Sequence, residues 1–169
     1  MDMDILTNQM ANHASTIQCL TAGILEEQAR WKPDPQAWSI LEVINHLYDE
    51  EREDFRVRVD YILHHPDQSW PPINPPGWVV EHAYNQRDLS ESVENFLKER
   101  RKSLDWLRGL DSPDWQASVT QPYGQFSAGD ILAAWVAHDL LHLRQLVELH
   151  WAYGKRTAEP FKVDYAGEW

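Results

Sequence analysis

Residues 127–153 read SAGDILAAWVAHDLLHLRQLVELHWAY, an apolar helical stretch that carries two histidines, His138 and His142, one turn apart. On a helical projection Ile131, Trp135, His138, His142, Leu146 and Leu149 share one stripe, so both imidazoles stand where a core takes Leu or Ile. Gln145 falls beside them, whereas Arg144 and Glu148 lie on the far side. A buried imidazole needs a partner, and two on adjacent turns need two. Two readings meet that demand: core histidines bonded to nearby side chains and carbonyls, or a metal ion serving both rings at once.

Such a helix has to be buried among others, and the periodicity of the chain predicts three more. Residues 5–30 form the first, on Ile5, Leu6, Ile17, Leu20, Ile24 and Leu25. The run WKPDPQAW over 31–38 holds two prolines and is a connection. Ser39-Ile40-Leu41-Glu42 is a capping box, which starts the second helix; Ile40, Ile44, Leu47, Tyr48, Phe55 and Ile62 carry it to about His64. Residues 65–87 are dense in proline around Trp70 and Trp78, so an irregular loop is expected there, either a lid over a site or surface packing. Asp88 starts the third helix, with Leu89, Val93, Phe96, Leu97, Arg100, Leu104 and Leu107 on one face and an end near Gly109. Residues 111–126 make another long connection with a short extended piece around Ser118 to Thr120. The opening helix comes fourth and should stop at Gly154. Beyond it, Phe161, Tyr165 and Trp169 are expected to dock on the body. The expected fold is all-α: one domain over 1–169, a four-helix bundle with long connections between helices two and three and between three and four.

Composition narrows the partners. With 27 acidic against 15 basic residues, the net charge of −12 repels phosphate backbones, so nucleic acid is excluded as an expected partner. Cys19 is the one cysteine, which rules out an intrachain disulfide and a cysteine-rich zinc site and makes the cytoplasm the default compartment. The start MDMDILTNQM lacks the layout of a signal peptide, and no apolar run is long enough to span a bilayer, so no membrane partner is expected. Nine tryptophans suit the walls of a small-molecule pocket as well as a core.

A third histidine, His46, lies on helix two at the border of its apolar face, and Glu50 and Glu53 continue its strip. Taken alone, the plain alternative is a boundary histidine beside a solvated acidic face. In a bundle, however, metal sites are built from facing helices. His46, His138 and His142 meet that requirement if helices two and four are neighbours. Three imidazoles leave coordination positions open, the condition for a catalytic ion. Asp49 or Glu50 could orient a ring N–H, and Gln145 could act at the pocket edge; these three are the candidate catalytic residues. His13, His64, His65, His82 and His150 lack partners at helical spacing and lean towards surface roles. H-E-x-x-H, Glu-x-x-His pairs, G-x-S-x-G and glycine-rich phosphate loops are absent.

WKPDPQAWSILEVINHLYDEE over 31–51 and AWVAHDLLHLRQL over 134–146 resemble the DinB-like (DinB/YfiT) superfamily of metalloenzymes. His46, Leu47, Asp49 and Glu51 match its HL-x-D-x-E signature, and His138, His142 and Gln145 match its H-x3-H-x2-Q signature. The middle of the chain and the terminal DYAGEW are also similar. The resemblance implies a bundle with an unusual order of helix directions and a three-histidine site, His46, His138 and His142, for a divalent metal such as zinc or nickel. Characterised relatives include mycothiol-dependent maleylpyruvate isomerase and bacillithiol S-transferases, so a low-molecular-weight thiol cofactor and a transferase reaction are implied as well. The alternative is a non-catalytic metal- or ligand-binding bundle.

The opening helix has a second apolar stripe, Ala133, Val136, Leu140, Leu143 and Val147, roughly opposite the histidines. The aromatic tail could cover it; a twin across a two-fold axis could do so too, and a homodimer is the expectation.

Overall fold

The computed structural model describes residues 2–167. Helix α1 spans Met3–Thr21 and starts where Asp2 accepts a hydrogen bond from the Ile5 amide. It is shorter than the periodicity predicts. Gly23, at φ +75°, turns the chain after Thr21, and residues 26–30 become a separate short helix, α2 (Glu26–Arg30). Ile5 and Leu25 are exposed; the buried face runs through Met10, Ala14 and Ile17.

The predicted second helix is one continuous rod in three parts: α3 (Ile40–Asp49), a π-helical stretch (Glu50–Phe55) and α4 (Arg56–His64). The Ser39–Glu42 capping box closes at both ends. The proline-rich segment is less irregular than expected. Pro75 and Pro76 open a short helix, α5 (Pro75–Glu81), because a proline in the first helical turn forfeits no hydrogen bond. Asn74 caps it by accepting from the Gly77 amide, and that cap fits only because residue 77 has no Cβ to meet the Asn74 side chain. Helix α6 (Leu89–Gly109) starts at the Asp88 cap. The extended piece turns out to be a hairpin, β1 (Ser118–Gln121) paired antiparallel with β2 (Gly124–Ser127). The closing helix α7 (Ala128–Thr157) carries a second capping box, Ser127 with Asp130, and runs through Gly154 instead of ending there.

Helix α1 packs on α6 and α7, α3 packs on the same two, and α4 also lies against α7. The first and second long helices therefore face each other across a diagonal, unlike an up-down-up-down bundle in which chain neighbours are also spatial neighbours. Helices α3 and α7 are adjacent, which is the condition the three histidines require.

Two apolar clusters fill the bundle. One gathers Ile17, Ile44, Leu47, Phe96 and Leu146, and the other Met10, Val59, Leu104, Leu132 and Trp135. Between them lies a polar layer. The Arg100 guanidinium, 1% exposed, donates from Nε to Glu51 Oε1 at 2.7 Å and to both Asp139 oxygens at 2.7 Å, with a further bond to the Met10 carbonyl. Trp135 Nε1 donates to the same Glu51 oxygen. His13 and Asp139 meet at 3.2 Å, so His13 belongs to this layer and not to the surface. The two carboxylates hold the Arg100 pKa above its usual value against the effect of burial.

The tail does not dock as expected: Phe161 is 80% exposed and Tyr165 fully so, while Trp169 lies outside the described residues. The outer stripe of α7 is narrower than the projection suggests. Val136 and Leu143 pack into the core clusters, and Leu140, Leu141 and Val147 stay exposed. No helix among the described residues is long and apolar enough to cross a membrane.

Candidate metal centre

His46 comes from α3, and His138 and His142 from consecutive turns of α7. His46 Nε2 lies 3.3 Å from His138 Nε2, and His142 Nε2 lies 3.1 Å from His138 Nε2. Ligand atoms of all three fall within 4.8 Å of one another. The rings are inclined to each other by 58°, 62° and 71°, so they approach one point from different directions instead of stacking. Bonds of about 2.0–2.1 Å to one ion place neighbouring nitrogens roughly 3.3 Å apart at tetrahedral angles and 2.9 Å apart at right angles. The two separations to His138, 3.3 Å and 3.1 Å, lie in that range.

All three rings are held neutral, the state a ligand requires. Burial and then the neighbouring imidazoles of His142 and His138 lower the His46 pKa to about 2. Burial and His142 lower that of His138 to about 4. Burial also lowers that of His142, against the opposing effects of Gln145 and Asp139.

The outer ring nitrogens bear on the choice between a metal set and three ordinary core histidines. His142 Nδ1 is 2.8 Å from Gln145 Oε1, so the Nδ1–H donates to that carbonyl and the Nε2 lone pair points inward. His46 Nδ1 is buried without a partner, as is Glu50 Oε1, and the two face each other at 3.7 Å. Burial first, then Asp54 and Asp49, push the Glu50 carboxyl up to about 8, with Arg58 opposing. His46 meets His138 through Nε2 at the shared centre and turns its unpartnered Nδ1 to a carboxyl, an arrangement that suits a metal-bound ring and its supporting group. The donor set fits a divalent ion.

Of the three candidate catalytic residues, Gln145 and Glu50 both stand behind the rings. Asp49 does not reach them. It accepts from Tyr84 Oη at 2.5 Å, and its Oδ2 is 2.7 Å from His82 Nδ1. Burial and this carboxylate push the Tyr84 phenol up. Glu53 leaves the strip expected for it and pairs with Arg52 at the surface, because the π turn advances the rod out of α-helical phase after Asp49.

Two aromatic neighbours escape the sequence reading. Trp38 packs edge-on to His46 at 4.8 Å between centroids and lies parallel to His142 at 6.3 Å. Phe55 sits 5.0 Å from His138 and stacks on Trp135. Trp38 lies in a proline-rich connection and Phe55 at the end of the π stretch, so no periodicity marks either as a site residue. The one available signal for Trp38 is its place directly before the Ser39 cap, which fixes where the chain enters α3.

The family model described as "DinB superfamily" matches residues 9–146. None of the curated proteins matches this sequence. Among solved structures, the chain is similar to YfiT from Bacillus subtilis, described as a probable metal-dependent hydrolase with an unusual four-helix bundle topology. The TM-score is 0.79 at 16% identity, covering 90% of this chain and 87% of that one.

Proposed function

The chain belongs to the DinB superfamily, and from that membership and the geometry of the centre we propose a divalent-metal-dependent enzyme for a small-molecule substrate, with His46, His138 and His142 as the ligands. The convergence of three neutral imidazoles on one point carries the reading. Zinc or nickel suits such a donor set, since imidazole accepts several first-row ions. When bound, the ion supplies Lewis acidity and lowers the pKa of whatever group fills its remaining positions.

The protein's own residues hold and shelter the centre. Gln145 fixes the His142 tautomer, and Glu50 stands ready to take the His46 N–H. Trp38 and Phe55 wall off two sides with apolar rings, which exclude water and strengthen electrostatic effects at the open positions. His46 and His142 are buried and His138 is half-buried, so substrate approaches from the His138 side.

The specific reaction we propose is S-transfer or a related transfer using a low-molecular-weight thiol. The thiol comes from outside, because Cys19 is exposed on α1 and has no place in the centre. Hydrolysis is the second reading, favoured by the likeness to YfiT. The test is elemental analysis after exhaustive dialysis without chelator, followed by incubation with a small thiol plus an electrophile and, separately, with an ester. One ion per chain with thiol consumption supports the transferase, and one ion with ester cleavage alone supports the hydrolase. An ion without either reaction favours a binding bundle, and no ion refutes the centre.

A further inference from the structure

Next to the metal centre, a cavity of about 200 Å³ opens where α4, the proline-rich segment, the hairpin and α7 meet. Phe55, Trp70, Ile73, Phe126 and Ile131 make its apolar walls; Arg58 lines it as the one cationic side chain, and Asp54 beside it as the one acidic side chain. Tyr123 closes the rim from the hairpin, 5.7 Å from the Phe126 ring. The aromatic rings belong to separate elements and are held against each other: Trp70 lies 6.3 Å from Phe126, and the Arg58 guanidinium lies over the Trp70 ring at 4.6 Å. At Gly124 a Cβ would press on the Phe126 ring at 3.3 Å, so the hairpin turn is cut to fit that ring.

Arg58 is 5% exposed. Asp54 occupies its Nε at 2.7 Å, yet Nη1 is buried without any hydrogen-bond partner. A charged donor left unpaired in an apolar setting costs free energy that a folded chain rarely tolerates without use. Arg100, the other deeply buried arginine in the bundle, has a partner for each of its three nitrogens. The difference marks Arg58 as a donor whose partner comes from outside.

We propose that this cavity is a substrate subsite for a small, flat carboxylate, an aryl or conjugated acid, whose ring lies among Phe55, Trp70 and Phe126 and whose carboxylate accepts from Arg58. The space admits one ring with one acidic substituent. Phe55 is the wall shared with the centre, touching the cavity on one side and His138 on the other. A molecule anchored here by its acid end is thereby directed towards the open positions of the ion. This assignment of substrate class rests on the proposed function, but binding in the cavity requires only the residues just named.

The full-length protein, stripped of metal and reloaded with zinc in parallel, should be titrated calorimetrically with benzoate and with the uncharged isostere benzamide. One benzoate per chain is expected in both forms, with benzamide weaker by about tenfold or more, as loss of a charge-assisted hydrogen bond implies. Arg58→Met should weaken benzoate by a similar factor. Trp70→Ala, on a segment outside the bundle core, should weaken both ligands while leaving the helical circular dichroism unchanged. Equal binding of benzoate and benzamide, benzoate binding unaffected by both substitutions, or no saturable binding at all would overturn the subsite. Metal content measured on the same samples keeps the two ideas apart. Benzoate binding without metal retention removes the enzyme reading and keeps the subsite, and the reverse removes the subsite alone.

Discussion

His46, His138 and His142 are uncharged in the fold and chargeable once it opens, so protons favour the unfolded chain. Each unfolded imidazole titrates near 6.5, while the folded values lie at about 2 for His46, at about 4 for His138 and below the usual value for His142. Stability is therefore lost as the pH falls below 6.5. Glu50 works in the opposite sense, since its folded value of about 8 lies above the unfolded 4.5 and the fold takes its proton first. Between pH 4.5 and 6.5 His46 and His138 already outweigh the one carboxyl and His142 acts in their direction, and each net proton is worth about 1.4 kcal/mol per pH unit. The melting temperature of metal-stripped protein should peak near pH 6.5 and fall on the acid side; a curve that rises towards pH 5 contradicts the neutral-imidazole cluster. The ligands themselves are tested by His138→Ala and His142→Ala, which should abolish metal retention with helical circular dichroism kept. Removing the supporting carbonyl by Gln145→Ala should lower metal affinity by about 10–100-fold, read by competition with a chromogenic chelator.

The rod from α3 through the π stretch to α4 serves both the metal centre and the polar layer. One wide turn lets adjacent residues face two different places: Glu50 the His46 ring, Glu51 the Arg100 guanidinium. Arg100→Met leaves Glu51 and Asp139 buried without their cation, with only the Trp135 N–H and His13 as remaining partners, and should cost about 3–5 kcal/mol in chemical denaturation. A loss below roughly 1 kcal/mol would mean that water reaches the layer and shares the charge. Much of this was legible beforehand. The Ser39–Glu42 capping box, the Asp88 start of α6, the histidine pair on α7 and the apolar face of α6, including Arg100, follow from spacing alone. The burial of His46 was not, because a projection at a constant 100° cannot anticipate that α3 is buried on nearly every side, or that the phase slips after Asp49. Gly23 also hid its role, since only its positive φ distinguishes a chain turn from a helical glycine. His13 and His82 read as surface residues because their carboxylate partners, Asp139 and Asp49, are far away in sequence.

For the molecule as a whole, an ion held by the proposed centre is a ligand of the native state, so adding zinc or nickel to stripped protein should raise the melting temperature in proportion to the logarithm of free metal. An unchanged value across millimolar metal counts against the centre. We propose that the outer face of α7 is an assembly surface. Leu140, Leu141 and Val147 are exposed with Arg144 and Glu148 beside them, and the tail leaves them uncovered. A homodimer through this face is the expected state: sedimentation equilibrium should give twice the 19.8 kDa chain mass, and Leu140→Glu should shift it to monomer.

The diagonal arrangement of the bundle also sets when the centre can exist. His46 and His138 are 92 residues apart, and α6 lies between their helices in the chain. A ribosome that has released α3, α4 and α6 has made one ligand of three. Local metal knuckles can gather an ion while their chain is still growing, and the ion then drives their folding. The proposed three-histidine centre therefore cannot form before α7 has been made and packed on α3, so an ion bound there would join an assembled body and not direct its folding.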